Sequence, residues 1–341
     1  MQFEPPPNDP MLWDVDLPLR AQCYPLGFPL EIVTNSPKVL VAAEESWGMF
    51  KKVFSVPGLE MRIGVLAAAS DERPPVPVPR GQRDLIAHVA DSRNYMVLNL
   101  RKGFGFGWLT EGAVQDRAYL RYHFLEGPTW MLLESLFVTS IHAACVELDG
   151  RGVLLCGDSG SGKSSLAYAC ARNGWTFLSD DSTVLVRNGG GRLVTGNPYQ
   201  IRFRDSATDL FPELKNLCIS PRLSGELSIE LATTSVPEIV ITTTSTIKYL
   251  VFLNRCDPEP EGIFVFPRDR ALAWLDQVVC YDEKHVREEH RAALRDLSTA
   301  DVFEIRYTHL DSALRLLERL IRGGPAVAKP SFVTAGDPRH G

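Results

Sequence analysis

A glycine-rich turn between an apolar strand and a helix constrains this chain more than any other feature of its sequence. Residues 151–174 read RGVLLCGDSGSGKSSLAYACARNG, with a predicted strand at 153–156 and Gly174 placed to cap the following helix. Residues 157–164 between them match the pattern GxxxxGK(S/T) in the strand–loop–helix context that the pattern requires. The sequence therefore predicts an α/β domain built around a phosphate-binding loop.

The chemistry of the loop predicts which of its groups bind a nucleotide. Its glycines let backbone N–H groups turn inward as an anion-binding nest, and the helix N-terminus adds partial positive charge. The Lys163 ammonium can reach the outer phosphates, and the Ser164 hydroxyl can bind Mg²⁺. The predicted nucleotide-binding residues are Gly157, Asp158, Ser159, Gly160, Ser161, Gly162, Lys163, Ser164 and Ser165.

An aspartate pair follows the next predicted strand. Residues 175–181 read WTFLSDD, an alternating strand pattern that ends in Asp180 and Asp181. Ligands of open α/β sheets bind beyond the carboxyl ends of the strands, so both carboxylates face the phosphates if this strand is parallel to the first. One can then hold metal while the other accepts a proton from an attacking hydroxyl. The alternative is an aspartate pair that only initiates a turn.

A histidine precedes the loop on its other side. Residues 141–148 predict a strand, and the dipeptide DG after it is a two-residue hairpin signal. Counting back along the hairpin ladder places His142 opposite Gly157, or opposite Ser159 if the turn is longer. Either register puts the imidazole near the phosphates, whereas a lone strand histidine is more often structural.

These three features together resemble the catalytic domain of the HPr kinase/phosphorylase family. That family has a strand histidine before a GDSGxGKS loop and a VADD-type motif after the loop helix, features similar to His142, residues 157–164 and the pair Asp180-Asp181. The intervals match as well, with 21 residues from Lys163 back to His142 and 18 forward to Asp181. The resemblance covers about one-seventh of the chain.

The resemblance implies a role for each of these residues. Asp181 would be the general base for a substrate hydroxyl, and His142 would help to position that hydroxyl. Ser164 would bind Mg²⁺, with Asp180 as a second metal ligand, and Lys163 would neutralise charge on the phosphoryl group. It also implies ATP as the phosphoryl donor and a fold shared with PEP carboxykinase, a P-loop variant distinct from most NTPases.

The sequence departs from the family pattern in three places. Gln200, in YQIRFRD, stands where those enzymes carry a metal-binding glutamate, and Glu226 or Glu230 could replace it. The later glycine-rich segment expected for phosphorolysis is not recognisable, and residues 1–125 do not resemble the regulatory domain of the family. These departures are typical of the divergent kinases that act on ribosomal peptides or other serine substrates, and we do not expect HPr itself to be the acceptor.

Several basic residues and tryptophans allow two interpretations. Arg202 and Arg204 alternate on a predicted strand and could hold an anionic acceptor or could simply be solvated. The apolar segment that ends at Arg255 is interpreted first as a core strand, and Arg255 at its end could contact phosphate. His285 and His290 are five residues apart in a charged helix, which predicts solvated surface rather than a metal pair. The tryptophans, expected in a packed N-terminal core, are Trp13, Trp47, Trp108 and Trp130.

The order of predicted elements indicates the fold class and the domains. The fold is predicted as α/β, a P-loop kinase domain of the HPr kinase/PEP carboxykinase type with a smaller N-terminal α+β domain. Residues 1–125 form the N-terminal domain, which would present the acceptor or regulate the enzyme, 126–325 the catalytic domain and 326–341 a flexible tail. Residues 71–82, DERPPVPVPRGQ, predict a loop because proline disfavours helices and central strands.

Composition excludes several classes of function. Thirty-six basic residues against 42 acidic ones give a net charge of −6, without the basic face that nucleic-acid binding needs. No apolar run approaches the ~18 residues of a membrane span, and the N-terminal segment lacks the pattern of a secretory signal. The seven cysteines contain no CxxC pair, which favours a reducing cytoplasm over a disulfide framework or a zinc site.

The sequence thus predicts an ATP- and Mg²⁺-dependent kinase that transfers the γ-phosphoryl group to a serine hydroxyl. The acceptor would be a peptide, a protein or a small molecule, and a homo-oligomer is compatible with the pattern. The alternative is a nucleotide-binding regulatory or assembly module that keeps the loop without phosphoryl transfer. The histidine and the aspartate pair favour the kinase, and the missing metal glutamate favours the module.

Overall fold

The described residues of the chain fold into a mixed α/β structure with three sheets of seven, ten and three strands. The computed structural model describes residues 16–66, 72–187, 191–217, 219–221, 227–255, 260–277, 279 and 284–323.

The N-terminal part of the chain forms the seven-stranded sheet. Its strands are β1 (Leu19–Cys23), β2 (Leu30–Thr34), β3 (Leu59–Leu66), β4 (Val78–Gln82), β5 (Leu85–Val89), β6 (Tyr95–Asn99) and β7 (Phe104–Thr110). They lie in the order β1-β2-β3-β7-β6-β5-β4. The prediction of a loop over 71–82 was wrong at β4, because an edge strand pairs on one side only and tolerates Pro79.

The other thirteen strands of the described residues lie in the C-terminal part. They are β8 (Val138–His142), β9 (Ala144–Leu148), β10 (Arg151–Cys156), β11 (Thr176–Ser179), β12 (Ser182–Val186), β13 (Leu193–Thr195), β14 (Gln200–Phe203), β15 (Ile219–Pro221), β16 (Leu227–Ala232), β17 (Val240–Ile241), β18 (Thr244–Arg255), β19 (Gly262–Val265) and β20 (Asp301–Tyr307). The large sheet has the order β17-β11-β9-β10-β18-β13-β12-β8, with β20 beside β18 and β19 beside β20. Strands β14, β16 and β15 form the small sheet.

Helices lie in both parts of the chain. Within the described ranges they are α1 (Pro37–Trp47), α2 (Glu111–Gln115), α3 (Arg117–Leu120), α4 (Gly127–Leu136), α5 (Lys163–Arg172), α6 (Arg268–Asp276), α7 (Lys284–Leu297) and α8 (Leu310–Gly323). Side chains of α5 and α8 join one buried cluster with Val153, and those of α6 and α7 join another with Leu154 on the opposite face of β10. No helix among the described residues has both the length and the apolar character needed to cross a bilayer.

A π-helical turn, Arg121–Glu126, joins α3 to α4. Pro128 explains it, because proline has no N–H and its ring would clash with the carbonyl four residues earlier in a regular α-helix. The N–H of Gly127 donates instead to the carbonyl of Tyr122, five residues earlier. The chain is therefore helical where it passes residue 125, and the domain boundary placed there stays a prediction.

The N-terminal part packs directly against the C-terminal sheet. Val138 and Val184, from β8 and β12, belong to the same buried cluster as the core of the seven-stranded sheet. The rings of Phe28 and Phe137 stack with centroids 5.3 Å apart. Because one apolar core is continuous across both parts, residues of the N-terminal part can reach a site on the large sheet.

Candidate active site

The phosphate loop leaves the end of β10 and leads into α5. Gly157 and Gly162 have φ values of +147° and +95°, in a region that residues other than glycine rarely adopt. The Tyr307 hydroxyl, at the end of β20, donates a hydrogen bond of 2.9 Å to the Ser161 carbonyl and fixes the loop from the side. The first turn of α5 has N–H groups without intrahelical acceptors, and these are suited to bind an anion.

Lys163 folds back over the loop from the first position of α5. Its Nζ donates to the carbonyls of Gly157 and Asp158, at 2.8 and 3.2 Å, and lies 3.2 Å from His142 Nε2. The residue is 6% exposed. Burial lowers the pKa of its ammonium, and the Asp181 carboxylate opposes that shift. The lysine is therefore held at the mouth of the loop, where the outer phosphates of a nucleotide would lie.

The aspartate pair lies where the sequence places it. Strand β11 runs antiparallel to β9, which is antiparallel to β10, so β10 and β11 point the same way with one strand between them. The Asp180 carboxylate accepts the backbone N–H of Arg202 at 2.6 Å. Burial raises the pKa of Asp180 to about 6, opposed by that hydrogen bond and reinforced by the charge of Asp181.

His142 reaches the site by a different route from the predicted one. The DG turn and the pairing of β9 with β10 are as predicted, but the ladder ends with Ala144 opposite Leu155. The chain leaves that ladder at Ala143, whose carbonyl accepts a hydrogen bond from the Thr183 hydroxyl at 2.8 Å. β8 then pairs with β12, which sets His142 opposite Ser182 rather than opposite the loop.

The altered pairing produces a chain of three polar side chains. His142 Nδ1 lies 3.1 Å from Asp181 Oδ1, and its Nε2 faces Lys163 Nζ. A neutral imidazole with its proton on Nδ1 satisfies both contacts, donating to the carboxylate and accepting from the ammonium. His142 and Asp181 are both 46% exposed, so the carboxylate remains accessible to a ligand. The sequence predicted that these residues gather here but not that they touch in this order.

The residues around Ser164 fit a magnesium site that is completed by phosphate. The Ser164 hydroxyl lies 3.4 Å from the Asp180 carbonyl oxygen, and the side chains of Ser164, Asp180 and Asp181 line the same cleft. Among the described residues, no group of three or more His, Cys, Asp and Glu side chains could hold a metal by itself. Mg²⁺ at phosphoryl-transfer sites commonly takes only one or two carboxylates and completes its shell with phosphate and water.

Gln200, at the position of the missing glutamate, and Glu230, a candidate to replace it, contact each other beside the cleft. Gln200 Nε2 donates to one carboxylate oxygen of Glu230 at 2.7 Å, and Arg202 Nε contacts the other at 3.2 Å. Gln200 and Glu230 are thus joined by hydrogen bonds on neighbouring strands, β14 and β16. Glu226 lies outside the described residues.

The two predicted acceptor arginines have different partners. Arg202 pairs with Glu230 and also donates to Gln200 at 3.0 Å. Arg204 donates to the Ser159 hydroxyl at 2.8 Å, which places its guanidinium on the phosphate loop. Both arginines line the cleft although Arg204 lies just beyond the end of β14, and their role in holding an acceptor stays a prediction. Arg255 lines the same cleft from the end of β18.

His290 corrects another expectation. It is buried, with Nδ1 2.9 Å from the Thr139 hydroxyl and Nε2 3.0 Å from Arg187 Nη1. Burial and the Arg187 charge lower the pKa of His290 to about 3. The spacing of His290 with the buried residues Leu294 and Leu297 is the i, i+4, i+7 pattern of an apolar helix face, and this signal could have identified it. His285, on the same helix, is exposed as predicted.

The site opens into a cleft of about 920 Å³ whose second wall comes from the N-terminal part. Trp47, Phe50 and Trp130 line it together with the phosphate loop. The sequence predicted both tryptophans as packed core. Trp47 is indeed buried, whereas Trp130 is half-buried. Sequence reasoning missed this wall because its residues are far from the loop along the chain.

Comparison with known proteins places the similarity on this site. The family of the HPr Serine kinase C-terminal domain matches residues 136–203, which contain His142, the loop and the aspartate pair. This segment of the chain is therefore similar to the C-terminal domain of the HPr kinases. The resemblance seen in the sequence is thereby confirmed, as a partial similarity.

Individual relatives give the same picture. The HPr kinase/phosphorylase of Exiguobacterium sp. is 37% identical over 65 residues, and that of Halalkalibacterium halodurans is 38% identical over 64 residues. Each match covers 19% of this chain and 21% of the relative, so the chain spans about a fifth of the length of these curated relatives. The Hpr(Ser) kinase/phosphatase structure from Coxiella burnetii matches 55% of this chain and 99% of its own, at 14% identity and a TM-score of 0.28. The similarity to the HPr kinases therefore rests on residues 136–203.

Proposed function

We propose that this chain is an ATP- and Mg²⁺-dependent kinase that transfers the γ-phosphoryl group to a serine hydroxyl of a peptide, protein or small molecule. The observation that carries the proposal is the contact of His142 with both Lys163 and Asp181 at the mouth of the phosphate loop. A protein that only binds a nucleotide needs the loop, but it does not need an accessible carboxylate oriented by a histidine next to the loop lysine. The relatives named HPr kinase/phosphorylase support the same activity.

The geometry indicates how the protein's own groups would act. The Lys163 ammonium and the amides of the loop would neutralise charge on the phosphoryl oxygens, which is the main task in phosphoryl transfer. Asp181 would accept the proton of the serine hydroxyl. The serine oxygen would then bond to the γ-phosphorus while the bond between that phosphorus and the bridging oxygen of ADP breaks. His142 would hold the Asp181 carboxylate in place through its Nδ1–H.

Magnesium binding is proposed for Ser164 and Asp180. Mg²⁺, when bound, would neutralise charge on the β- and γ-phosphates. Asp180 is suited to this because its carboxylate is already fixed by the Arg202 N–H at 2.6 Å. Lys163 and Asp181 would then remain free for the phosphoryl group and the hydroxyl.

The second candidate is a nucleotide-binding regulatory module without phosphoryl transfer. One observation favours it: Gln200 stands where the family has a metal-binding glutamate, and its amide is occupied by Glu230. The two candidates differ in Asp181, which a module would not use.

We further propose that the protein works in a reducing cytoplasm. Cys23, Cys145, Cys156 and Cys170 are buried free thiols. Burial raises the pKa of the Cys156 thiol to about 12, although the nearby Lys163 charge opposes the shift. These four cysteines form no disulfide, and a reducing compartment keeps thiols in this free form.

The test is transfer of label from γ-³²P-ATP, with Mg²⁺, to serine peptides and free serine, by wild type and by Asp181→Asn. We expect labelled phosphoserine with the wild type and its loss in the variant while ATP binding is retained. ATP binding without any phosphorylated product in either protein would favour the regulatory module.

A further inference from the structure

The second wall of the cleft combines the aromatic edge of the N-terminal core with a cluster of polar side chains. We name it the acceptor wall and define it by Ser46, Trp47, Phe50, Arg121, Glu126 and Trp130, all of which line the cleft. The residues come from α1, the segment after it, the π-helical turn and α4. None of them lies in residues 136–203, the segment shared with the HPr kinase family.

The π-helical turn gives this wall a polar pair. Arg121 and Glu126 are its first and last residues. Residues five apart lie above one another in a π-helix, whereas in an α-helix they face different directions. Arg121 Nη2 accordingly lies 3.0 Å from Glu126 Oε1. π-Helical turns are rare and occur frequently at functional sites, which makes their position on the cleft informative.

Ser46 ties this pair to α1. Its hydroxyl donates to Glu126 Oε1 at 2.7 Å and accepts from Arg121 Nε at 2.9 Å. Glu45 lies 4.0 Å from Arg121 and also pairs with Arg117, so the two arginines and two glutamates balance in charge. A neutral wall that offers both N–H donors and carboxylate acceptors suits a peptide group better than an isolated anion or cation.

The apolar part of the wall lies beside the polar pair. Trp47 and Phe50 are buried, and the Phe50 ring meets Tyr199 edge-on at 5.1 Å. Tyr199 in turn donates its hydroxyl to the Met49 carbonyl at 2.9 Å. Trp130 is half-buried and keeps part of its ring accessible. Rigid aromatic groups of this kind are the usual anchors for an apolar side chain of a bound partner.

We propose that the acceptor wall binds a serine-bearing peptide segment that carries an aromatic or large apolar side chain near the serine. This inference rests on the proposed kinase function and names its substrate class. Arg121 and Glu126 bind the peptide backbone, Trp130 packs on the neighbouring side chain, and the serine lies at Asp181. The cleft, at about 920 Å³, is at the upper end of the ~300–1,000 Å³ typical of small-molecule pockets, and so it has room for a peptide beside a nucleotide.

The experiment measures phosphorylation of acetylated and amidated serine octapeptides with each flanking position varied in turn, with free serine as comparator. The variants are Arg121→Ala, Trp130→Ala and the conservative Trp130→Phe. Arg117→Ala is the matched control, because Arg117 also pairs with Glu45 but does not line the cleft. Thermal unfolding and ATP affinity are measured for every variant, so that loss of the fold is recognised.

We expect the wild type to prefer peptides with an aromatic residue at a fixed distance from the serine. Arg121→Ala should raise the peptide KM about tenfold, as expected for loss of a charge-assisted hydrogen bond, with little change in kcat or ATP affinity. Trp130→Ala should remove the aromatic preference, and Trp130→Phe should retain it. Arg117→Ala should behave as the wild type.

Two results would overturn the inference and leave the kinase function standing. One is peptide phosphorylation whose KM and sequence preference are the same in Arg121→Ala, Trp130→Ala and Arg117→Ala. The other is phosphorylation of free serine more efficient than that of every peptide. A failure of the kinase function itself is distinct, since the wild type would then phosphorylate neither peptides nor serine although it binds ATP.

Discussion

The two walls of the cleft differ in how they are encoded. The wall around Lys163 comes from one contiguous strand–loop–helix segment, with His142 and Asp181 close to it in sequence. The acceptor wall is assembled from residues between 46 and 130, which the tertiary fold brings to the same cleft as the loop. A contiguous motif carries its own geometry, whereas a wall made by tertiary packing is visible only in the fold.

This difference has a functional counterpart. Changes on the phosphate-loop wall should act on kcat and on ATP affinity, because the groups there would face the phosphoryl group in the proposed reaction. Changes on the acceptor wall should act on the acceptor KM. If substitutions on the two walls gave the same kinetic pattern, the division would be wrong.

The largest effect is expected from Asp181→Asn. The amide keeps the size of the side chain but cannot accept the proton of the attacking hydroxyl, so kcat should fall on the order of 10²–10⁴-fold. ATP affinity measured by titration calorimetry should stay close to that of the wild type. The matched control is Asp149→Asn, in the turn between β9 and β10. If Asp181→Asn had a normal kcat but a raised Mg²⁺ requirement, Asp181 would be the metal ligand and Asp180 the base.

Lys163→Ala should have the next largest effect. It removes the buried ammonium that contacts the loop carbonyls and His142, and we expect a loss of kcat on the order of 10²–10³-fold together with weaker ATP binding. Lys248→Ala serves as the control, because Lys248 pairs with Asp301 away from the cleft. Unchanged turnover in Lys163→Ala, measured by phosphoserine formation, would contradict the kinase proposal.

Arg204 and Arg202 provide a smaller test within the site. Arg204 contacts the Ser159 hydroxyl on the loop, and Arg202 is paired with Glu230. Arg204→Ala should therefore raise the KM for ATP about tenfold, as for a lost charged hydrogen bond, and Arg202→Ala should change it much less. Steady-state kinetics with ATP varied at fixed peptide would measure both, and equal effects would mean that the arginines act as one group.

A part of this site and fold was predictable because its signals are local. The loop and the Asp149-Gly150 turn follow from short patterns, and both turn residues have the positive φ that such a hairpin uses. The register of His142 was not predictable, since the chain leaves the ladder at Ala143 through a hydrogen bond from Thr183. That contact joins residues 40 positions apart, and no local pattern specifies it.

The smallest expected effect is on the pH dependence of the free energy of unfolding. It involves one buried histidine from each part of the chain. Burial lowers the pKa of His88, in the N-terminal sheet, to about 4 and that of His290, on α7, to about 3, from 6.5. The unfolded chain binds protons first on acidification, so the free energy of unfolding should fall as pH drops below 6.5. Each histidine should lower the free energy of unfolding at pH 5.5 by about 1 kcal/mol relative to pH 7.5.

Urea unfolding of wild type, His88→Gln and His290→Gln at both pH values would measure these shares. The difference in free energy of unfolding between pH 7.5 and pH 5.5 should be smaller in each variant than in the wild type, because glutamine does not titrate. Wild-type and variant proteins with the same difference between pH 7.5 and pH 5.5 would show that these histidines are not buried as neutral groups.

The most direct test of the central claim is the fate of the γ-phosphoryl group. Wild-type protein is incubated with γ-³²P-ATP, Mg²⁺ and the best serine peptide, and labelled phosphoserine is counted against labelled inorganic phosphate. Because transfer depends on a positioned hydroxyl next to Asp181, we predict that phosphopeptide exceeds free phosphate and that release of phosphate is slow without peptide. Rapid release of phosphate that is independent of the peptide, with no phosphoserine formed, would contradict the account.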